Sequence, residues 1–582
     1  KGWRHMVSTV LGEPLRKWDQ REHQFRPQYD ALRRPTHLYL KVGSATETLI
    51  DRRYYGDDAE LVDPEDANLK GKLVAVYDTA GLVELGPYDF KGNLLESRRQ
   101  LATTYTTLPD WISIDTEDDV ATAKTTVLGG TPLIETEVFS ETRAFDALNR
   151  VTSVITHDSS EFIPTYNEAS LLESVSVKVR GVSPATVFVK DIDYNARGER
   201  TRIEYSDDGS DGATFATDYE RDPLTFRLTR VLTIREDDDK KLQDLRYTFD
   251  AVGNIVRCKD NAQQSLFYND EYVTPTNTYI YDAIYRLISA TGREHVSIGG
   301  AQVDDNDQPI YALPLPSNGI ALRNYRETYE YDPVGNILEF FHDAGSGAAT
   351  WSREYSYETG SNRLASNTIS TGSATYTHDD HGNMTSMPHL AAITYTPFDQ
   401  MASADLEGGG DAYYVYDAAG TRIRKVIDTG MNLIKERIYL AGFEIYREIV
   451  SSAVNFERET LHVMDGVKRV AMVETKTIEG GSSVGTLTPR LRFQLTNHLE
   501  TATVEVDEDG NVISYEETHP YGTSAYRSAA SGVEVSARRY RYTGKERDDE
   551  TGFFYHGARY YAAWLARWTS ADPLGIGADG PG

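Results

Sequence analysis

Phe249-Asp250-Ala251-Val252-Gly253-Asn254-Ile255 decides the fold, because it is one copy among many. The order aromatic, Asp or Asn, two or three spacers, Gly or Arg, then an aliphatic residue recurs along the chain. It stands at Tyr77-Asp78-Thr-Ala-Gly81-Leu82, Tyr88-Asp89-Phe-Lys-Gly92-Asn-Leu94, Tyr194-Asn195-Ala-Arg-Gly198, Tyr331-Asp332-Pro-Val-Gly335-Asn-Ile337 and Tyr416-Asp417-Ala-Ala-Gly420-Thr-Arg-Ile423. An arginine form occurs at Tyr29-Asp30-Ala-Leu-Arg-Arg34, Phe145-Asp146-Ala-Leu-Asn-Arg150 and Tyr281-Asp282-Ala-Ile-Tyr-Arg286, and degenerate copies fall at Tyr357, His378-Asp379 and Asp507. Each copy has a mechanical reading. The aromatic ends a strand, the Asp or Asn side chain caps the turn amides, Gly takes the positive φ of the reversal, and the aliphatic residue opens the return strand.

Flanks such as Thr278-Tyr-Ile-Tyr281 and Tyr413-Tyr-Val-Tyr416 place tyrosines two apart, the period of a strand. The unit is therefore a β-hairpin, strung in series. One hairpin cannot bury its apolar face alone, so neighbours must stack into one long sheet, which twists and curls to hide its edges. Irregular spacing between copies argues against the even blades of a propeller and for a wide, curved, hollow wall. The expectation is an all-β chain: a long spiralling sheet of serial hairpins forming a shell.

Composition agrees. A chain of 582 residues exceeds a typical single domain, and 39% apolar content is thin for one thick core. Tyrosines number 38 against 18 phenylalanines, which suits a sheet whose faces are differently wetted. The net charge of −30 argues against nucleic acid or direct insertion into an anionic membrane; it accommodates a cationic partner and equally serves solubility. With Cys258 as the only cysteine, no intrachain disulfide can form, and folding in a reducing cytoplasm is expected; Cys258 reads as a small buried apolar residue. The opening Lys1-Gly-Trp3 reads as mid-sequence, so the chain is taken as a piece of something longer at both ends. Helical signals are weak and confined to 260–268 and 497–505. Flexible inserts are expected at 207–212, 298–319, 406–410 and 478–484, and an exposed acidic turn at 236–239.

The last stretch differs from all this. Arg541-Tyr-Thr-Gly-Lys-Glu-Arg-Asp548-Asp549-Glu550-Thr-Gly552-Phe-Phe-Tyr555 leads through Arg559-Tyr560-Tyr561 and Arg567-Trp568 to Asp572-Pro573-Leu-Gly575. Acids and arginines interleaved with so many aromatics must be paired on burial or shift their pKa values. The block reads as the plug of the repetitive shell, giving two units, 1–535 and 536–582.

Together these features resemble the Rhs/YD-repeat family, with 541–575 similar to its Rhs-repeat-associated core. Leu242-Gln-Asp-Leu-Arg246-Tyr and Tyr285-Arg-Leu-Ile-Ser-Ala-Thr-Gly-Arg293-Glu294 are similar to the C component of bacterial Tc toxin complexes. The resemblance implies a hollow cocoon that encloses a cytotoxic effector and folds in the bacterial cytoplasm before release or secretion with a toxin complex. It implies as partners a TcB-like component bearing a β-propeller, on the same or a separate chain, and through it a pentameric TcA-like pore. It implies no cofactor. It implies also that the block curls inward and acts as an aspartic-type autoprotease, with Asp548 and Asp572 as the acids and Arg541 in support.

The extra residues of Asp548-Asp549-Glu550 leave Asp549 as a substitute for Asp548, and Arg538 and Arg539 crowd the position of Arg541. The apolar residues expected at the cut are absent after Gly575. Hydrolysis by two carboxylates needs one as base toward water and one as acid toward the leaving amine. Read without the family, Asp548 belongs to a solvated charge run and Asp572 to a turn. His378, His381 and His389 with Asp379 and Asp380 are the one metal-like group, and they fall on a repeat turn. The alternative function is a surface adhesion or carbohydrate-binding protein built of the same repeats, without chemistry.

Overall fold

In a computed structural model the described residues are 2–57, 61, 64–206, 212–298, 300–301, 319–345, 349–466, 468–529 and 538–573. The turns form as the repeat requires. At Asp250 one carboxylate oxygen accepts from the backbone N–H groups of Val252, Gly253 and Asn254 at 2.7–3.0 Å, and the other accepts from the Asn254 side chain at 2.8 Å. Gly253 sits at φ 114°, a region closed to most side chains. Asp89 and Asp332 repeat this pattern with Asn93 and Asn336. In the arginine form the guanidinium replaces the amide: Arg286 Nε donates to Asp282 at 2.7 Å.

The aromatic that opens each unit does more than end a strand. Tyr281 donates its hydroxyl to the Ile255 carbonyl at 3.0 Å, Tyr331 to Leu287 at 2.7 Å and Tyr357 to Ile337 at 2.7 Å. Tyr166 and Tyr194 do the same to Val151 and Leu172. Each acceptor is the first residue of the preceding return strand, where a bulge beside the aromatic interrupts the ladder. The hydroxyl satisfies a carbonyl that the bulge frees, and so links one hairpin to the next. This is why the repeat prefers Tyr to Phe.

Twenty-five strands, from Arg4–Ser8 to Gly372–Thr375, form one antiparallel meander in which each strand pairs with its sequence neighbour, and a hairpin of Leu266–Tyr268 and Glu271–Val273 stands aside. A second sheet of thirteen strands runs from Ile393–Tyr395 to Ser524–Ala529. Contacts between the sheets climb both sequences together. Arg21 bonds Tyr395 and Thr396, Ala418 bonds Asp78, and Arg447 pairs with Glu137. Farther on Arg200 meets Asp465, Gln243 meets Thr503, and Tyr331 meets Tyr521. Such colinearity is the mark of a spiral: the strip returns to its own start near residue 396 and continues alongside its first lap. At about 4.8 Å between neighbouring strands, one lap has a perimeter of roughly 120 Å.

The apolar core is correspondingly divided. One cluster joins Phe188, Phe215 and Val177 of the first sheet to Phe443, Phe493 and Val504 of the second. Another joins Tyr329 and Leu364 to Tyr414 and to the C-terminal Phe553, Tyr560 and Trp564.

Several expectations are corrected. Residues 260–268 end one strand and begin a short hairpin, and 497–505 form a turn and the strand Ala502–Val506; neither is helical. The α-helix that does form, Val120–Leu128, was not anticipated. Asp119 caps it by accepting from Ala121 and Thr122, and it buries Ala123 and Val127 beside Trp111. Segments 406–410 and 478–484 are ordered turns rather than flexible inserts: the second is the tip of a hairpin in which Ser482–Ser483 pairs back onto Arg469–Glu479. Residues 236–239 form the exposed acidic turn expected, and Cys258 is half-buried against the Tyr247 cluster. Residues 207–211 and 302–318 of the other two inserts, and the 535/536 boundary, lie outside the described residues.

If the tyrosine link contributes as a buried hydrogen bond does, Tyr281→Phe will lower stability by about 1 kcal/mol. Tyr285→Phe, which alters an exposed ring off the pattern, will change it by less than about 0.5 kcal/mol. Equal denaturant midpoints for the two variants would remove the link from the account.

Candidate functional site

The C-terminal block is a small four-stranded sheet, from Glu546–Arg547 through Phe554–Tyr555 and Tyr560–Ala562 to Arg567–Trp568. It is seated by aromatic packing: Phe553 stacks on Trp564 at 5.6 Å, and the hydroxyls of Tyr560 and Tyr416 meet at 2.8 Å. Tyr555 lies 4.2 Å beneath the Arg422 guanidinium and accepts from the Arg422 backbone N–H.

Around this seat the charges of the block meet those of the wall. Asp548 is wholly buried and accepts from Arg422 Nη1 at 2.6 Å and from Lys425 Nζ at 2.7 Å. Arg422 Nη2 also holds Glu546 at 2.6 Å, and Glu546 takes a second bond from Arg539 at 3.0 Å. Lys425 reaches Glu550 at 3.3 Å, whose other oxygen accepts from the Tyr414 hydroxyl at 2.8 Å. Burial works against a charge on Glu546, yet Lys425, Arg422 and Arg539 outweigh it and hold the carboxyl down at about 2. For Glu550 burial prevails over Lys425, with Asp548 adding repulsion, and its pKa is raised. Two buried carboxylic groups on one ammonium are thus biased oppositely, a pattern suited to proton transfer.

The residues expected to act fall on four separate sets of ion pairs. Asp548 joins Arg422 and Lys425. Arg541, expected beside it, instead forks onto Glu516 with Nε contacts of 3.0 and 3.1 Å. Asp572 is about a third exposed and pairs with Arg559 at 2.9 Å. Asp549 is partly exposed and lies 3.5 Å from Arg547. The three histidines also diverge: His381 bonds Asp399 at 2.7 Å, His389 bonds the Thr551 carbonyl at 2.9 Å, and His378 lies 3.8 Å from Glu358. Arg422 and Lys425 escaped sequence reasoning. The available signal was Arg422-Ile-Arg424-Lys425 opening a strand right after a repeat turn, since three cations at the start of a strand whose first five residues are buried need acids from elsewhere.

A cavity of about 940 Å³ opens between the block and both sheets. Asp78 from the first sheet, Arg422 and His462 from the second, and Glu546, Tyr555 and Pro573 from the block all border it. Pro573 brings the outgoing chain to the space bordered by Arg422, one of the two cations that hold Asp548.

Removing one partner from a buried ion cluster leaves the others uncompensated, so Arg422→Met is expected to cost about 3–5 kcal/mol in chemical denaturation. Acid tests the Arg541 fork. Burial opposes the Glu516 charge, but Arg541 and Arg538 overcome it and bring the carboxyl from an ordinary 4.5 to about 2. A lowered folded pKa gives stability that is complete above about pH 5 and lost as the pH falls toward 2. The thermal-stability advantage of the natural chain over Glu516→Gln should therefore shrink across that window; an advantage independent of pH would refute the assignment.

No profile of a known protein family matches the chain. Toxin subunit YenC2 of Yersinia entomophaga is 31% identical over 526 residues, covering 87% of this chain and 52% of that protein. The solved TcdB2-TccC3 without its hypervariable C-terminal region is 27% identical, covers all of this chain and 26% of that one, and has a TM-score of 0.84. The Tc holotoxin pore of Photorhabdus luminescens, carrying an aspartate-to-alanine mutation in TccC3, covers 99% of this chain and 26% of that one, at 27% identity and the same score. The chain spans about half the length of the curated relatives it matches. Hairpin spiral, the C-terminal block packed on both sheets, and relatives agree: the chain belongs to the Rhs/YD-repeat family and is homologous, over about half their length, to C components of the Tc toxin type.

Proposed function

We propose that this chain is the shell of a toxin complex, with residues 1–535 enclosing a cytotoxic effector and 536–582 releasing it by a single self-cleavage. One observation carries the reading: Asp548 is fully buried on two cations of the second sheet, and Pro573 borders the cavity that one of them, Arg422, also lines. A charged network of this kind costs more than an apolar seat would, so it points to a role beyond plugging. Asp548 and Asp572 are the acids. One takes a proton from water as it attacks the scissile carbonyl, and the other gives a proton to the departing amine. Arg541 is a positioning residue that anchors the block through Glu516. One turnover suffices, so intramolecular placement with general acid–base help of about 10²–10⁴-fold is adequate. The shell works with a TcB-like propeller component and a TcA-like pore, and leaves the cell with them; the likeness to TcdB2-TccC3 and to the holotoxin pore supports this assembly.

The test is self-processing of the chain extended beyond Gly582 by a tagged segment. The natural sequence should appear as two bands on a denaturing gel, and Asp572→Asn, at a partly exposed position, should fold and stay whole. Asp549→Asn in the same assay separates Asp549 from Asp548. Efficient cleavage by Asp572→Asn would remove that acid from the mechanism.

A further inference from the structure

We propose that Glu294, His342 and His519 bind a divalent metal ion of the zinc class at the seam between the two laps of the spiral. Glu294 lies on the strand Leu287–His295 and His342 on Ile337–Asp343, both in the first sheet, while His519 follows Val512–Thr518 of the second. All three are buried, and their ligand atoms lie within 4.8 Å of one another. His342 Nε2 is 3.2 Å and His519 Nε2 is 3.0 Å from the same Glu294 oxygen. Zinc bonds of about 2.0–2.1 Å in tetrahedral geometry place neighbouring donors roughly 3.3 Å apart, so these two edges already have nearly the required length.

The surroundings orient the donors as a metal site does. The second nitrogen of His342 bonds Glu327 at 3.1 Å, and that of His519 bonds the Thr523 hydroxyl at 3.0 Å, which leaves both Nε2 atoms turned inward. Arg323 occupies the other Glu294 oxygen, with its Nε at 2.8 Å, and so aims the remaining one at the histidines. Trp351 stacks on the His342 ring at 5.1 Å, and Tyr325 packs on His519 at 4.8 Å, fixing both planes. Two imidazoles and a carboxylate make a three-ligand set, with the fourth position left for water. In the metal-free chain the His519 edge is a hydrogen bond and the His342 edge an ion-pair contact. Binding requires Nε2 of each ring to be unprotonated, so any proton it carries passes to solvent or to the ring's own Nδ1, which faces Glu327 or Thr523. Because the ligands come from both laps, the ion would clasp the spiral shut.

The intact chain, stripped with a chelator and dialysed, is titrated with zinc chloride in a calorimeter, and its thermal unfolding is followed with and without the metal. One equivalent should bind, and Tm should rise. Cobalt(II) in the same site should give the intense visible bands of a tetrahedral centre, a readout that needs no variant. His519→Ala should abolish stoichiometric binding and the Tm rise, and Glu327→Gln should weaken binding by about 10–100-fold. Binding well below one equivalent, weak octahedral cobalt bands, or an unaltered isotherm for His519→Ala would overturn the site.

Discussion

The carboxylate of the repeat aspartate is the constraint on which the structure depends. A hairpin turn exposes several backbone N–H groups that no strand satisfies, and Asp89, Asp250 and Asp332 each gather them onto one side chain. Once the turn is closed locally, the aromatic before it is placed at a bulge, and its hydroxyl reaches the preceding unit. Every unit thus prepares the position of the next. Long-range order follows from short-range rules, and no thick common core is needed.

Those rules also set the limits of the wall. A meander that obeys them curls but has no internal reason to stop or close. Closure comes from side chains that reach between laps, such as Arg21 on 395–396 and Arg447 on Glu137. Many of these seam contacts are charged, which fits a chain rich in acids whose laps must recognise one register among many similar hairpins. Ionic and hydrogen-bonded contacts discriminate register better than apolar ones, because a slipped pair leaves a buried charge unmatched.

The terminal block applies the same physics more densely. Asp548, Glu546 and Glu550 meet Arg422, Lys425 and Arg539 in a space walled by Tyr414, Tyr555 and Tyr560, where each charge depends on several others. Glu546 is held low and Glu550 raised within one cluster, because the first has three cations near it and the second chiefly one. Seating the block therefore shapes its chemistry as well as its stability.

Hairpins were legible in the sequence because each is specified within about seven residues: Tyr, Asp, Gly and an aliphatic state the strand end, the cap, the reversal and the return. The helix Val120–Leu128 was not, since its only local signal is the cap at Asp119 and its stability comes from packing beside Trp111. The acids of the block could be named from their motif, but their partners could not. Arg541 stands seven residues before Asp548 and yet pairs with Glu516, whereas Arg422 and Lys425 reach Asp548 from more than a hundred residues away. Likewise no periodicity connects Glu294 to His519, 225 residues later. Turns and strand periods are local, so the repeating unit and the all-β wall can be read from residue order alone. Which charges meet is settled in three dimensions, by how far the strip has curled when its second lap passes the first.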